Sequence, residues 1–282
     1  MRCLVGLALD GHAVGAVRFA AWLASPGEDR IYGLHVLRRS EHHALAERAL
    51  DDLAGQTGTA TTFETLHVVD HADVGGALIE ACDEHAVDLL VLGRRAARGS
   101  PAVMRLGRVA RRMLRMLPGP VAIVPPDFSP ERAPQGPVIA ATDLSADSIA
   151  ACRLAAALAK RLDRPLALAH VVADPSDWGL PVLSREHVEE IGRSLRVDAA
   201  AELESWRSNH AQSATILEPI AGDVVEALLR AGEHNETPIM VLGSRRLGRL
   251  ARAFTTSVGS AIAAGARWPV VVVPPFDQPV TP

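Results

Sequence analysis

Two aspartates and two glycines occupy positions where chemistry is expected. Asp10 and Asp143 each follow an early apolar run, and Gly93 and Gly243 each end a later one. Such runs predict parallel strands, and ligands bind beyond the carboxyl ends of parallel strands. A carboxylate there can bind the amino group of an adenine or coordinate a metal. The alternative is a turn aspartate that caps the next helix.

Several enzyme classes are not supported by the residue types. Lys160 is the only lysine, so the Gly-Lys-Ser/Thr tripeptide of a P-loop kinase or ATPase is absent. The lysine that response-regulator phosphoryl chemistry requires is also missing. Ser257 and Ser260 resemble nucleophiles in a glycine context, but Thr255 stands where a nucleophile elbow has its first glycine. We therefore predict no catalytic residue and no enzyme activity.

Metal and dinucleotide sites are not predicted either. His67 and His71 are four residues apart in a strand-like segment, which separates their rings by about 13 Å, too far to share one ion. The Gly-x-Gly-x-x-Gly fingerprint of a Rossmann dehydrogenase is missing after both first strands.

The composition is that of a globular chain of about two domains. It has 282 residues, a net charge of −4, 48% hydrophobic residues and three scattered cysteines with apolar neighbours. This favours buried thiols in a reducing, cytoplasmic setting. No apolar run approaches the roughly 20 residues that span a membrane, and the net charge gives no indication of nucleic-acid binding.

The two halves of the chain repeat each other. Five matching positions, which we call anchors, recur in the same order, 133 to 150 residues apart. The changes in this spacing fall in predicted loops. The anchors are the pairs Asp10 and Asp143, His35 and His170, Asp73 and Asp223, Gly93 and Gly243, and Pro120 and Pro269. The chain is therefore predicted to be a tandem duplication.

Strands and helices alternate within each repeat, which predicts an α/β fold. We expect two doubly wound open sheets, each of five mainly parallel strands with helices on both faces. The predicted domains are 1–128 and 137–282, joined by a proline-rich linker at 129–136. An insertion in the second repeat is predicted at Ala173–Glu190.

Capping residues predict several helix starts. The first helix is expected at His12–Ala24 in the first repeat and at Ala146–Leu162 in the second, where Ser145 is the predicted N-cap. Asp73 and Asp223 are predicted to begin the third helix of their repeats.

Taken together, these motifs resemble the universal stress protein family. The resemblance rests on strands ending in Asp and in His-Val, a helix that begins at Asp, a Val-Leu-Gly loop and a terminal Pro-Val-Val-Val-Val strand. It covers almost the whole chain and implies a tandem member with a role in stress adaptation. One subgroup of this family binds ATP.

The ATP-binding subgroup carries Gly-x2-Gly-x9-Gly-Ser/Thr after its fourth strand, and both repeats match it in part. In the second repeat Gly243 and Ser257 match, while Arg246 and Thr256 replace glycines. In the first repeat Gly93 and Gly107 match, but Arg108 replaces the serine. Two interpretations stay open: arginines that bind phosphate, or loops that have lost the site.

The resemblance assigns binding positions if a nucleotide is bound. In the second repeat adenine would lie near Asp143 and Val171, and phosphates near Gly243, Ser257 and Gly259. The corresponding residues of the first repeat are Asp10, Val36, Gly93 and Gly107.

An arginine stripe marks the predicted fourth helix of the first repeat. Arg108, Arg111, Arg112 and Arg115 share one face, Arg105 is assigned to the same helix, and no acidic residue lies between Arg94 and Met116. The stripe is either a solvated face or a surface for an anion, RNA or acidic partner. Because aromatic residues do not accompany it, nucleic-acid binding is not favoured.

The last strands, Pro120–Val124 and Pro269–Val273, predict how the repeats associate. An apolar terminal strand leaves an exposed sheet edge unless it is paired. In this family it pairs antiparallel with the same strand of a partner, which here implies an intramolecular pseudo-dimer. A homodimer and an unidentified protein partner remain open.

The sequence thus predicts a non-enzymatic binding module of the stress response with ATP or another adenine nucleotide as its ligand. The first alternative is a scaffold that needs no ligand because its sites have eroded. The second is a weak ATPase or nucleotide-processing α/β enzyme.

Overall fold

Apolar strands and amphipathic helices alternate along the chain in a computed structural model, which describes residues 1–9, 12–24, 28–37, 43–58, 63–71, 73–97, 100–178, 184–244 and 257–275. Backbone contacts divide the chain into two units. The first is Met1–Ala133 with Ala263–Val273, and the second is Pro134–Ile262 with Pro274–Pro282.

Strands and helices of the first repeat follow the predicted order. The strands are β1 (Arg2–Gly6), β2 (Arg30–Leu37), β3 (Thr65–Asp70), β4 (Leu89–Gly93), β5 (Arg95–Ala97), β6 (Ser100–Arg105) and β7 (Val121–Val124). The helices are α1 (Val14–Leu23), α2 (His43–Gln56), α3 (Val74–Glu84) and α4 (Arg108–Met116).

The second repeat has the same plan. Its strands are β8 (Val138–Ala141), β9 (Leu166–Ala169), β10 (Val171–Val172), β11 (Thr215–Ile216), β12 (Ile220–Ala221), β13 (Met240–Gly243) and β14 (Val270–Val273). Its helices are α5 (Ser148–Arg161), α6 (Arg185–His210), α7 (Val224–His234) and α8 (Val258–Gly265).

The sheet of the first unit has the order β14-β7-β4-β1-β2-β3. Neighbours from β7 to β3 are parallel, and β14 is antiparallel to β7, with Val271 opposite Ala122. Every residue of β7 and β14 is buried, as expected for strands that helices cover on both faces. The terminal strand of the second repeat therefore completes the sheet of the first unit, as the sequence predicted.

Right-handed crossovers determine which helices share a face of this sheet. The chain moves one way across the sheet from β1 to β2 to β3, and the other way from β3 to β4 to β7. Right-handed connections therefore place α1 and α2 on one face and α3 and α4 on the other.

The second unit contains the parallel sheet β11-β9-β8-β13 and a separate parallel pair, β10 with β12. Burial is complete along β8 and β9. Both units are thus the doubly wound α/β fold that the alternation of elements predicted.

Two predicted helix caps are confirmed and one is wrong. Asp73 and Asp223 are the N-caps of α3 and α7, and each carboxylate accepts hydrogen bonds from two backbone amides. Ser145 does not cap α5, which begins at Ser148. The Ser145 hydroxyl instead donates to Asp143, 2.5 Å away.

The segment after β4 corrects the prediction for the fourth helix. Arg105 ends strand β6, which pairs antiparallel with β5 and places Arg105 opposite Arg95. Gly107 is the N-cap of α4 with an extended backbone (φ −63°, ψ 166°), so the helix cannot include Arg105. The arginine face of α4 therefore comprises Arg108, Arg111, Arg112 and Arg115.

The predicted insertion is only partly irregular. Pro175–Trp178 forms a 3-10 turn, and α6 already begins at Arg185. Most of the added length extends this helix, which has 26 residues against 14 in α2.

A buried arginine of the first unit connects the end of β4 to the last turn of helix α8, which belongs to the same unit. Arg94 is 1% exposed, and its Nη1 donates to the carbonyl oxygens of Ala263 (3.0 Å) and Ala264 (3.1 Å). Burial lowers the pKa of Arg94 to about 10, although the negative charge of Asp127 acts to raise it. The guanidinium therefore remains charged at neutral pH and complements the negative end of the helix.

We predict that Arg94→Ala lowers the free energy of unfolding by about 2–4 kcal/mol, since it leaves a cavity and removes the donor from two carbonyls. Chemical denaturation measures the loss. Arg230→Ala, on an exposed arginine 4.0 Å from Glu226, is the matched control and should cost about 0.5 kcal/mol or less. Equal costs for the two variants would contradict a capping role for Arg94.

Candidate functional site

In the second unit, three predicted residues lie at the carboxyl edge of the sheet. β8 lies between β9 and β13, with Ala141 opposite both Ala169 and Leu242. Asp143 lies two residues after the end of β8, and Gly243 is the last residue of β13. Val171 begins β10, two residues after the end of β9. The topology thus brings them to one edge.

The Asp143 carboxylate organises the turn between β8 and α5. Its Oδ1 accepts hydrogen bonds from the Ser145 amide (3.1 Å) and from the hydroxyls of Ser145 (2.5 Å) and Ser148 (2.7 Å). Leu144, within this turn, has a left-handed backbone with φ 63°. Asp143 is an exposed residue, and these bonds fix its carboxylate in the turn that follows β8.

A histidine fixes the corresponding turn in both repeats. His35 Nδ1 bonds the carbonyl oxygen of Leu7 (2.7 Å), and His170 Nδ1 bonds that of Thr142 (2.9 Å). Because a carbonyl oxygen can only accept, Nδ1 carries the proton in each ring. In the sequence these histidines are recognisable only as repeat anchors. The sign of their structural role is that each lies 28 residues after its carbonyl partner, Leu7 or Thr142.

Gly93 and Gly243 are required by packing. A Cβ on Gly93 would lie 2.3 Å from the His12 carbonyl oxygen, and one on Gly243 would lie 2.9 Å from that of Asp147. In both repeats the end of the fourth strand therefore approaches the start of the first helix too closely for a side chain.

Ser257 and Gly259 lie at the start of α8. The Ser257 hydroxyl accepts from the Ser260 amide (3.1 Å) and donates to the Ser260 hydroxyl (2.9 Å), so it caps the helix. Ser257 is exposed and Gly259 is buried. The first amides of a helix of this length can bind an anion.

The first unit presents a comparable edge. Val36 in β2 and Gly93 in β4 flank β1, whose Gly6 is opposite both Leu34 and Leu92. Gly107 caps α4, where an added Cβ would contact only the Arg95 side chain, at 3.3 Å. Asp10 lies outside the described residues.

A second charged cluster connects α3 and α4. The Asp73 carboxylate accepts from the amides of Gly75 and Gly76 (both 3.2 Å) and forms an ion pair with Arg112. Its own amide donates to His71 Nδ1 (2.9 Å). The hydrogen bond from Arg112 holds the pKa of Asp73 below its usual value. Burial acts in the opposite direction, and the amides of Gly75 and Gly76 lower the pKa further.

Other candidate residues lie apart from these edges. Cys3, Cys82 and Cys152 are buried and not joined in disulfides, as predicted, and burial raises the pKa of Cys82 and Cys152 to about 12. Within the described ranges, no cluster of three or more His, Cys, Asp or Glu residues has a metal-binding arrangement. None of the helices described there combines the length and apolarity needed to cross a membrane.

The fold and its two similar edges define a doubly wound α/β module that occurs twice in one chain. A model of the universal stress protein family matches residues 1–125 and again residues 136–274. The chain belongs to the universal stress protein family, with two copies in tandem.

Relatives by sequence carry the same family name. A universal stress protein of Mycolicibacterium smegmatis is 26% identical over 294 residues, which cover 96% of each chain. One of Mycobacterium tuberculosis H37Rv is 26% identical over 200 residues, 70% of this chain. The matched part of the chain spans only 62% of that relative's length.

Solved structures share the fold. A functionally unknown protein from Pseudomonas aeruginosa PAO1 has a TM-score of 0.69 at 14% identity, covering 97% of this chain and 92% of its own. A universal stress protein from Archaeoglobus fulgidus has a TM-score of 0.64 at 18% identity, covering 97% of this chain and 98% of its own. At these identities the likeness concerns the fold alone.

We predict that Gly93→Ala and Gly243→Ala destabilise their units by about 1–3 kcal/mol, because each Cβ meets a backbone oxygen that cannot move freely. Gly107→Ala should cost about 1 kcal/mol or less, since φ is negative and only a flexible side chain is near. Denaturation midpoints compare the three variants. If Gly107→Ala proves the most costly, the packing explanation is wrong.

The Asp73 ion pair predicts a pH dependence. A lowered pKa in the folded state stabilises the fold above about pH 4, and this contribution is lost as pH falls through the folded pKa. Asp73→Asn should therefore flatten the fall of unfolding free energy as the pH drops below about 4. Asp223→Asn, also a helix N-cap but with no arginine contact among the described residues, is the control. It must change the slope less than Asp73→Asn does.

Proposed function

We propose that this universal stress protein is a non-enzymatic regulatory module whose second repeat binds ATP or another adenine nucleotide. The observation that carries the proposal is the exposed start of α8, where Ser257 and Gly259 follow a strand that ends at Gly243 in the same unit. A helix N-terminus beside the carboxyl edge of a parallel sheet suits a phosphate group.

Each residue has a distinct role in this proposal. The adenine lies near Asp143, whose carboxylate the turn orients, and near Val171, which is half-buried. The phosphates lie near Gly243, Ser257 and Gly259, where helix amides and the Ser257 hydroxyl donate to oxygen. Bound nucleotide stabilises the conformation in which α8 and the ends of β8 and β13 are aligned, and the regulatory signal is this population shift.

The first repeat would use the corresponding positions. Val36, Gly93 and Gly107 lie at its edge, the family resemblance assigns the acidic position to Asp10, and Arg108 replaces a hydroxyl. A bulky cation in place of a small donor makes this the weaker of the two sites.

A scaffold that needs no ligand is the second candidate, and specific contacts favour it. Gly93 and Gly243 are needed for packing, the Asp143 carboxylate holds a turn, and the Ser257 hydroxyl caps a helix. Each motif residue described in this way has a structural role without nucleotide.

We also propose the domain limits 1–128 and 137–282 with a linker at 129–136, and a cytoplasmic location. The division of the two units between Ala133 and Pro134 supports the linker. The three buried cysteines form no disulfide among the described residues, which suits a reducing compartment.

Calorimetric titration with ATP and AMP separates the two functions. We predict that the wild type binds and that Ser257→Asp weakens binding at least about 10-fold, because the added carboxylate repels phosphate. Aspartate is itself a good N-cap, so the fold of α8 is kept. Gly243→Asp is unsuitable here because its side chain would collide with the Asp147 carbonyl.

Ser184→Asp, at the exposed N-cap of α6, introduces the same change at another helix start and should leave the titration unaltered. Absence of binding heat with both nucleotides would favour the scaffold. A steady-state release of phosphate that both Ser257→Ala and Asp143→Ala abolish would instead identify an ATPase.

A further inference from the structure

The outer faces of α3 and α4 carry opposite charges. On α4, Arg108, Arg111 and Arg115 are exposed, and on α3, Glu80, Asp83 and Glu84 are exposed. We call these the basic patch and the acidic patch. Both sets follow i, i+3 or i+4 spacing, so each lies along one side of its helix.

The two patches belong to one face of the first unit. Right-handed crossovers place α3 and α4 on the same side of the sheet. The helices also contact each other directly, because Arg112 pairs with Asp73 and its side chain lies within 3 Å of where a Cβ on Gly75 would be. The face is therefore continuous from one patch to the other.

Within the part of the chain that the structure describes, most of these charges form no ion pair. Arg112 is used by Asp73, and Glu80 is 3.7 Å from His71. Among the described residues, no ion pair involves Arg108, Arg111 or Arg115 of the basic patch, or Asp83 or Glu84 of the acidic patch. Met116, at the end of α4, adds an apolar side chain that is 54% exposed.

We propose that this face binds the same face of a second copy of the chain. A two-fold axis that lies in the face, midway between the patches, places the basic patch of each copy over the acidic patch of the other. Both contacts form at once, which is the property of an isologous interface. A foreign acidic partner would pair with the basic patch alone and leave the acidic patch without a partner. A second copy of the chain pairs with both patches, and we therefore favour it.

The interface is small and electrostatic. Two helices side by side present roughly 20 Å by 16 Å, or about 300 Å² per copy, below the usual 800 Å² of a stable complex. The dimer is therefore weak and reversible, and it depends on ionic strength, because exposed charges are screened within about 4 Å at 0.5 M salt.

Sedimentation equilibrium of the full chain at increasing concentration tests the proposal. We expect dimer formation at 20 mM salt and an apparent Kd at least about 10-fold weaker at 0.5 M salt. The pair Arg111→Glu with Arg115→Glu should abolish the dimer, and so should Asp83→Arg with Glu84→Arg, because each variant then opposes like charges. Far-UV circular dichroism checks folding, and Arg111→Gln with Arg115→Gln provides a milder variant.

Mixing the two charge-reversed proteins is the decisive step. The acidic α4 of the first variant then faces the basic α3 of the second, and the unchanged acidic α3 of the first faces the unchanged basic α4 of the second. Native mass spectrometry should therefore detect a heterodimer. Arg185→Glu with Arg193→Glu and Glu186→Arg with Glu190→Arg make the same net charge changes on α6 and should leave the dimer intact.

Four results would overturn the proposal, and the first three concern the dimer itself. These are absence of a dimer at low salt, a dimer that neither reversal on α3 or α4 changes, and failure of the mixed variants to associate. Loss on reversing α4 alone, with the α3 reversal silent, would also overturn it and would point to an acidic partner.

Discussion

The open edge of strand β7 is the constraint on which the first unit depends. β7 is buried along its whole length, and its outer backbone groups need hydrogen-bond partners that water cannot supply there. Strand β14 provides them by antiparallel pairing. The first repeat is therefore incomplete by itself, and the duplication of the module within one chain supplies the missing strand from residues about 150 positions away.

Arg94 adds a polar contact to this strand pairing. Its amide extends the ladder to Val124 (2.8 Å), and its guanidinium binds the last turn of α8, the helix that leads into β14. A buried cation is costly unless its hydrogen bonds are met, so the contact holds this helix end in one place. Gly93, the preceding residue, packs on the start of α1. The end of β4 is thus constrained from three sides before any ligand is considered.

The sequence predicted the fold well because the relevant signals are local and occur twice. Apolar runs, the Asp73 and Asp223 caps and the terminal strands each specify an element, and repetition made each assignment firmer. The hairpin of β5 and β6 is a local pairing, with Arg95 opposite Arg105, and it was missed because its arginines were assigned to a loop and to the start of the fourth helix. The burial of Arg94 was missed because its partners, Ala263 and Ala264, lie 169 and 170 residues further along the chain. The candidate binding residues that the structure describes follow or end strands at the carboxyl edges of their sheets, but their residue types remain ambiguous. Gly243, Asp143 and Ser257 meet structural needs that the sequence alone could not separate from contacts with a ligand.

The origin of β14 has a consequence for synthesis. Residues 1–133 leave the ribosome long before Ala263–Val273 exist. At 5–20 residues per second, the delay is roughly 7–26 s. During that time the nascent first unit presents an unpaired apolar edge, which is a template for intermolecular pairing and a substrate for chaperones. Translation speed through the second repeat therefore influences how much of the chain reaches its native state.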